Sequence, residues 1–185
     1  MDFFCILIKQ FIKTNKIYKI TFLLLFFLFQ SSITVFASDS GKLFGLISTI
    51  SNSYDINPRI TYNVVAAESS FDPKAVSNCD ARGLMQITRS TWNWVCRDLL
   101  EVEWDFDECC FDEEKNITVG VRFLRWISDY LDRYQDQLRD TKLNLMMACY
   151  NAGPGAVRNA GFQVPEFSET QNYVKKINTF MHPAG

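Results

Sequence analysis

The chain has 185 residues, 48% apolar and 22% charged, with 19 basic against 21 acidic residues, enough material for one globular domain. That balance argues against a nucleic-acid protein, which needs a basic face to neutralise phosphates. A single histidine, His182, argues against His-based hydrolase triads and His-ligated metal sites, so the chemistry must run on carboxylates, thiols, hydroxyls or amides.

Taken in chain order, the first segment reads as a secretory leader. Lys9, Lys13, Lys16 and Lys19 precede the apolar run Thr21–Phe29, and Val35 and Ala37 suit a signal-peptidase cut. Residues 1–37 are therefore expected to be a signal peptide. The competing reading is an uncleaved anchor, since Ile20–Ala37 carries no charge over 18 residues. Removing four lysines and one aspartate leaves 15 basic against 20 acidic residues, a net charge of −5 for 38–185. Five cysteines remain there: Cys79, Cys96, Cys109, Cys110 and Cys149. In an oxidising compartment an odd count allows at most two bridges, with Cys96 joined to Cys109 or Cys110 as one candidate. Cys149, inside an apolar run, reads as a buried thiol.

Residues 38–185 show helical periodicity almost throughout. Leu43, Leu46, Ile47 and Ile50 form one stripe, and Asn57-Pro58 opens a second helix running to about Ser70. A polar turn over residues 77–83 leads to Leu84-Met85-Gln86-Ile87, a short strand or ribbon. Thr88 or Ser90 caps a helix expected to reach Leu100, and the acid-rich stretch 101–114 reads as a solvated loop. Ile117, Val121, Leu124, Ile127, Leu131 and Tyr134 fall at steps of three or four, one long amphipathic helix. Leu143–Tyr150 is apolar nearly all round, as suits a central buried helix. Gly153-Pro154-Gly155 breaks it, and helices near 156–160 and 169–180 close the domain. The expected fold class is mainly α, with at most a small β-ribbon.

Three places could carry chemistry. Glu68 follows Ile60 and Val64 on one helix face, in the last turn, where burial and the helix dipole both raise a carboxyl's pKa. A carboxylic acid kept protonated near neutral pH is what a general acid requires. The ordinary alternative is a rim glutamate paired with Arg82. Tyr150-Asn151 ends the buried helix beside two glycines, a place able to hydrogen-bond a ligand and equally a plain helix cap. Gly83 permits close backbone approach and Gln86 offers both a donor and an acceptor, although a turn and strand need no function.

Together the segments Glu68-Ser69-Ser70-Phe71-Asp72-Pro73 with Ala75-Val76-Ser77, Gly83-Leu84-Met85-Gln86-Ile87, Tyr150-Asn151-Ala152-Gly153-Pro154-Gly155-Ala156-Val157 and Glu169-Thr170-Gln171-Asn172-Tyr173-Val174 resemble the soluble lytic transglycosylase domain. The resemblance extends over about residues 41–180, with the four motifs in the family's order. It implies a lysozyme-like single domain over 38–185 that cleaves the β-1,4 bond between N-acetylmuramic acid and N-acetylglucosamine, leaving 1,6-anhydromuramic ends. It further implies that Glu68 is the catalytic acid and then base. Ser77, Gln86, Tyr150 and Asn151 match substrate-contacting positions, Tyr173 and Glu169 match a closing helix at the groove, and Met85 matches a groove wall. No metal or other cofactor is implied. The implied partner is the glycan strand of peptidoglycan, met by an exported monomer in the periplasm or cell envelope of a bacterium. Small members of the family also serve secretion or conjugation machines.

The sequence departs from the family pattern at Arg89, where a Pro is common, at Cys149, where Ala is common, and in the cysteine-rich acidic stretch. Two alternatives stay open. A goose-type muramidase would use Asp80, or less readily Asp72, to hold a hydrolytic water. A non-catalytic glycan-binding envelope-assembly protein would use the groove alone.

Overall fold

The computed structural model describes residues 41–181; the leader call at 1–37 and His182 fall outside them. The chain divides into units of residues 1–44 and 45–185. Of the first, only the helical residues 41–44 are described.

The second unit is a bundle of helices. Residues 41–53 are helical (α1), and Ile47 and Ile50 lie buried, so the expected stripe is formed. Helix α2, Pro58–Glu68, starts where Asn57 accepts from the Arg59 N–H and proline takes the first position. Helix α3, Arg89–Trp94, is capped by the Thr88 hydroxyl and passes directly into a π-helix, Val95–Leu100, which Glu101 ends in the left-handed conformation (φ 55°). Helix α4, Phe106–Cys109, precedes the long α5, Glu113–Asp132. Helices α6, Lys142–Ala152, α7, Pro154–Asn159, and α8, Ser168–Met181, complete the unit. Helix α6 packs against α5, α7 and α8, and α8 also packs on α2. It is the central element that its all-round apolarity required, with Leu145, Met147, Ala148 and Cys149 fully or almost fully buried.

The expected ribbon reduces to isolated antiparallel bridges, Val76 with Arg82 and Arg82 with Ile87, and no strand forms among the described residues. The acid-rich stretch is more ordered than a solvated loop. Phe106 is buried edge-on against Trp92, whose indole N–H donates to the Trp104 carbonyl. Asp105 and Asp112 cap α4 and α5, and Glu113 and Glu114 occupy the first turn of α5, where the helix dipole favours anions. Those acids are helix starts. Periodicity misses them because the signal lies in the caps.

The expected bridges are also absent, since the five described cysteines are free thiols. Cys96, Cys110 and Cys149 are buried as small apolar side chains, and burial pushes the Cys149 thiol up to about 12. Cys109 instead accepts from the Lys115 ammonium at 3.2 Å, and Cys110 from Arg82 at 3.9 Å.

Candidate active site

Glu68 is the last residue of α2 and is half-buried. Behind it Ser69 caps the helix and Ser70 and Phe71 both take left-handed backbone (φ 52° and 67°), so the chain turns away and leaves the carboxyl at the helix end. Burial lifts its pKa from 4.5 to about 7, against the opposing influence of the Tyr173 hydroxyl and the Lys176 ammonium; Glu169 adds to the rise. Lys176 donates to the Ala67 carbonyl at 2.9 Å, satisfying an end group of α2. Tyr173, on α8, has its hydroxyl buried beside Glu68, without a fully formed hydrogen bond. Arg82, the alternative partner for Glu68, is taken by Asp80 at 2.7 Å and Asp107 at 2.8 Å.

Tyr150 comes from the end of α6. Its hydroxyl donates to the Met85 carbonyl at 2.8 Å, and its ionisation is suppressed by burial and by the neighbouring Glu68. The next residue, Asn151, accepts from the Thr170 hydroxyl at 2.8 Å, which ties α6 to the first turns of α8 beside Glu169. Glu68, Tyr150, Tyr173, Glu169 and Lys176 thus act on one another at the meeting of α2, α6 and α8, with Asn151 bracing it.

Met85 corrects an expectation. Its side chain is fully buried, with its sulfur against Gly120, so it is core and not a groove wall. What Met85 brings to the site is its carbonyl. Gln86 has left-handed backbone (φ 47°) and donates its side-chain amide to the Ala75 and Gly83 carbonyls. The Ser77 hydroxyl oxygen accepts from the Cys79 and Ala81 N–H groups, closing the turn over 77–81. Asp72 is a turn residue accepting from the Lys74 N–H, and Asp80 is held by Arg82.

Sequence reasoning missed Asn116. From the first turn of α5, and almost fully buried, it accepts from the Met85 N–H at 2.8 Å and donates to the Arg82 and Cys110 carbonyls at 3.0 and 2.8 Å. One amide therefore latches the 82–87 loop to α5. The available signal was a polar residue next to Ile117 and one turn before Gly120, on a face otherwise apolar. Gly83 completes the latch. Its φ is +76°, and a Cβ there would run into the Asn116 side chain and the Cys110 carbonyl. Gly83→Ala is expected to cost about 2–4 kcal/mol and to lower the thermal midpoint by several degrees. A melt within a degree of the parent would refute the latch.

The site combines one carboxyl poised near neutrality, two buried phenolic hydroxyls and the half-buried amides of Gln86 and Asn151. It can protonate a leaving oxygen and take a proton back at the same atom. A sequence model of the "Transglycosylase SLT domain" matches residues 45–173. The chain is 28% identical over 147 residues to the membrane-bound lytic murein transglycosylase C of Sodalis glossinidius, covering 77% of this chain and 38% of that one. It is 35% identical over 115 residues to the membrane-bound lytic murein transglycosylase F of Desulfosudis oleivorans, covering 62% and 23%. The 70-kDa soluble lytic transglycosylase of Escherichia coli superposes with a TM-score of 0.63 at 25% identity, over 74% of this chain and 23% of that structure. The chain thus spans well under half the length of these relatives.

Proposed function

The chain belongs to the transglycosylase SLT domain family, and from that premise we propose that it is a peptidoglycan lytic transglycosylase. Its substrate is the β-1,4 bond between N-acetylmuramic acid and N-acetylglucosamine, and its product a 1,6-anhydromuramic end. The observation that supports this most is Glu68 with its carboxyl held near pH 7 by burial, while the other carboxyl that acts on it, Glu169, is exposed on α8. Glycosidases that form a covalent intermediate or direct a water need a second placed carboxylate. Asp72 and Asp80, the candidates for that role, are spent on a turn and on Arg82.

In this reaction Glu68 gives its proton to the glycosidic oxygen as the bond from C1 breaks, and the 2-acetamido carbonyl of the muramic residue stabilises the cationic C1. The Glu68 carboxylate then removes the proton from the muramic 6-hydroxyl as O6 closes on C1. The carboxyl is restored and no water is consumed. Capture within one sugar has a high effective molarity, which keeps water from competing. Lys176 and the Tyr173 hydroxyl both favour the carboxylate, so they stabilise the intermediate state that burial alone would penalise. Tyr150, Asn151, Gln86 and Ser77 position the sugars through hydroxyl and amide groups. The enzyme acts as an exported monomer on glycan strands of a bacterial cell envelope; no helix among the described residues is long and apolar enough to cross a membrane.

Mass spectrometry of sacculi digested by the full chain tests the proposal. Anhydro ends, each lighter by one water than the hydrolytic product, are expected. Reducing ends would make the protein a muramidase, and no released fragments would leave it a binding protein.

A further inference from the structure

We propose that Lys176 is a positioning residue for the reaction: from α8 it closes the end of α2, and in doing so it holds Tyr173 beside Glu68 and makes the docking of α8 depend on the charge of that carboxyl. This rests on the reading of Glu68 as the acid and base, and adds the residue that ties its proton to the packing of two helices.

The packing comes first. A helix C-terminus leaves carbonyls without partners and carries a partial negative charge, which a cation offsets. Neither α2 nor α8 has a basic residue in its own last turn. Each takes one from the other. Lys176 of α8 donates to the Ala67 carbonyl at the end of α2 at 2.9 Å, and Arg59 from the first turn of α2 donates to the Met181 carbonyl at the end of α8 at 3.3 Å. The two helices therefore run antiparallel and are strapped at both ends by exchanged cations. The straps differ in what they touch. Arg59 lies at the opposite end of α2 from Glu68, whereas Ala67 is the residue before it, so the Lys176 strap is the one that meets the site. Tyr173 stands three residues before Lys176, on the same face of α8, with its buried hydroxyl beside the same carboxyl.

Charge gives the second link. The groups that act on Glu68 are Tyr150 from α6 and Tyr173, Glu169 and Lys176 from α8. Burial keeps both phenols neutral, and Glu169 works against the carboxylate. Lys176 is the cation among these described groups, with its hydrogen bond spent on Ala67 and its charge acting on Glu68 through space. Such coupling is reciprocal. An ammonium that favours the carboxylate is itself favoured in place by the carboxylate, and α8 is held with it. Docking is thus firmest just after Glu68 has given its proton to the glycosidic oxygen, when the ionised carboxyl must stay aligned to take one back from O6. Lys175, the neighbour in the chain, has no such role, because it lines a separate cleft with Asn144 and Asn178.

The test is a double-mutant cycle on the full chain: the parent, Lys176→Met, Glu68→Gln and the combined variant, each unfolded in urea at pH 5 and pH 8.5. Methionine keeps the stem and removes the charge. At pH 8.5, with Glu68 ionised, the two positions are expected to couple by about two- to fivefold in the unfolding equilibrium constant, and at pH 5, with it protonated, the coupling should vanish. In the activity arm, Lys176→Met should move the alkaline limb of kcat/KM up by about half a pH unit, since the carboxyl loses a charge that favours its ionised form. Its kcat should fall several-fold, and Lys176→Arg should restore both. Lys175→Met, which removes the same charge one residue away, should leave the limb in place. If Lys176→Met does not fold, Lys176→Gln supplies the same reading. A stability loss equal at both pH values and unchanged in the Glu68→Gln background, or an alkaline limb that does not move, overturns the proposal and leaves Lys176 a simple tie between helices. Unfolding needs no substrate, so the cycle succeeds or fails whatever product the sacculi yield, and failure of the function reading is distinguishable from failure of the coupling.

Discussion

Replacing Glu68 by Gln is expected to abolish turnover on peptidoglycan, lowering kcat by at least about 10³-fold while glycan binding persists, because a general acid contributes on this scale and the amide has no proton to give. The same substitution is expected to stabilise the protein at alkaline pH. The Glu68 carboxyl titrates near 7 in the folded chain and at about 4.5 unfolded. With the folded pKa the higher one, stability is full below the unfolded value and is lost as pH rises through 7. Two and a half pH units correspond to about 3 kcal/mol at most, somewhat less for a half-buried group. A glutamine, neutral at every pH, avoids that loss. Thermal melts should therefore show Glu68→Gln more stable than the parent at pH 8, with the gap closing towards zero at pH 4. Turnover by the parent should fall above about pH 7 with the slope of a single proton. Equal melts at both pH values would mean the carboxyl is not desolvated, and retained turnover would remove Glu68 from the chemistry.

The residues that take part in this titration show what could be read in advance. Glu68 was legible because its position depends on helical spacing alone: i, i+4 and i+8 from Ile60 and Val64, in a last turn. The end of α6 was legible for the same reason, since an apolar run closed by Gly-Pro-Gly has few other outcomes. What spacing could not supply was direction. Met85 sits beside Gln86 in the chain, yet backbone geometry sends its side chain into the core against Gly120 and turns only its carbonyl to Tyr150. The acidic stretch misled because composition records charge and not the backbone N–H groups that Asp105 and Asp112 satisfy. The cysteines misled because compartment and count suggest bridges, while burial and the cations at Lys115 and Arg82 occupy the thiols. Asn116 shows the general difficulty. A buried amide is identified by its partners, and two of its three lie 31 and 34 residues away in the chain.

Asn116→Ala is therefore expected to have the largest effect of any change outside the reacting groups. It removes three hydrogen bonds at once and leaves the Met85 N–H and the Arg82 and Cys110 carbonyls without that partner in a nearly dry place. Each orphaned group costs about 1–3 kcal/mol, and partial rearrangement brings the total to about 3–5 kcal/mol. Function suffers through position. Met85 carries the carbonyl that holds the Tyr150 hydroxyl, so loosening the loop frees Tyr150 and displaces Gln86 together. At a temperature where the variant is still folded, kcat/KM should drop by about 10²-fold, the scale of a 1 Å misplacement. Asn116→Asp separates the donors from the acceptor. A carboxyl keeps an oxygen for the Met85 N–H but turns a charge, or at most one O–H, towards two carbonyls, so its folded pKa must rise. Its stability is consequently best at low pH and is lost as pH increases, the opposite of an ordinary surface aspartate. Urea unfolding of both variants at pH 5 and pH 8, with kcat/KM measured on the folded fraction, checks the whole chain of reasoning. An alanine variant within 1 kcal/mol of the parent, or an aspartate variant indifferent to pH, would show that the loop is held by its own turns and bridges instead of by α5.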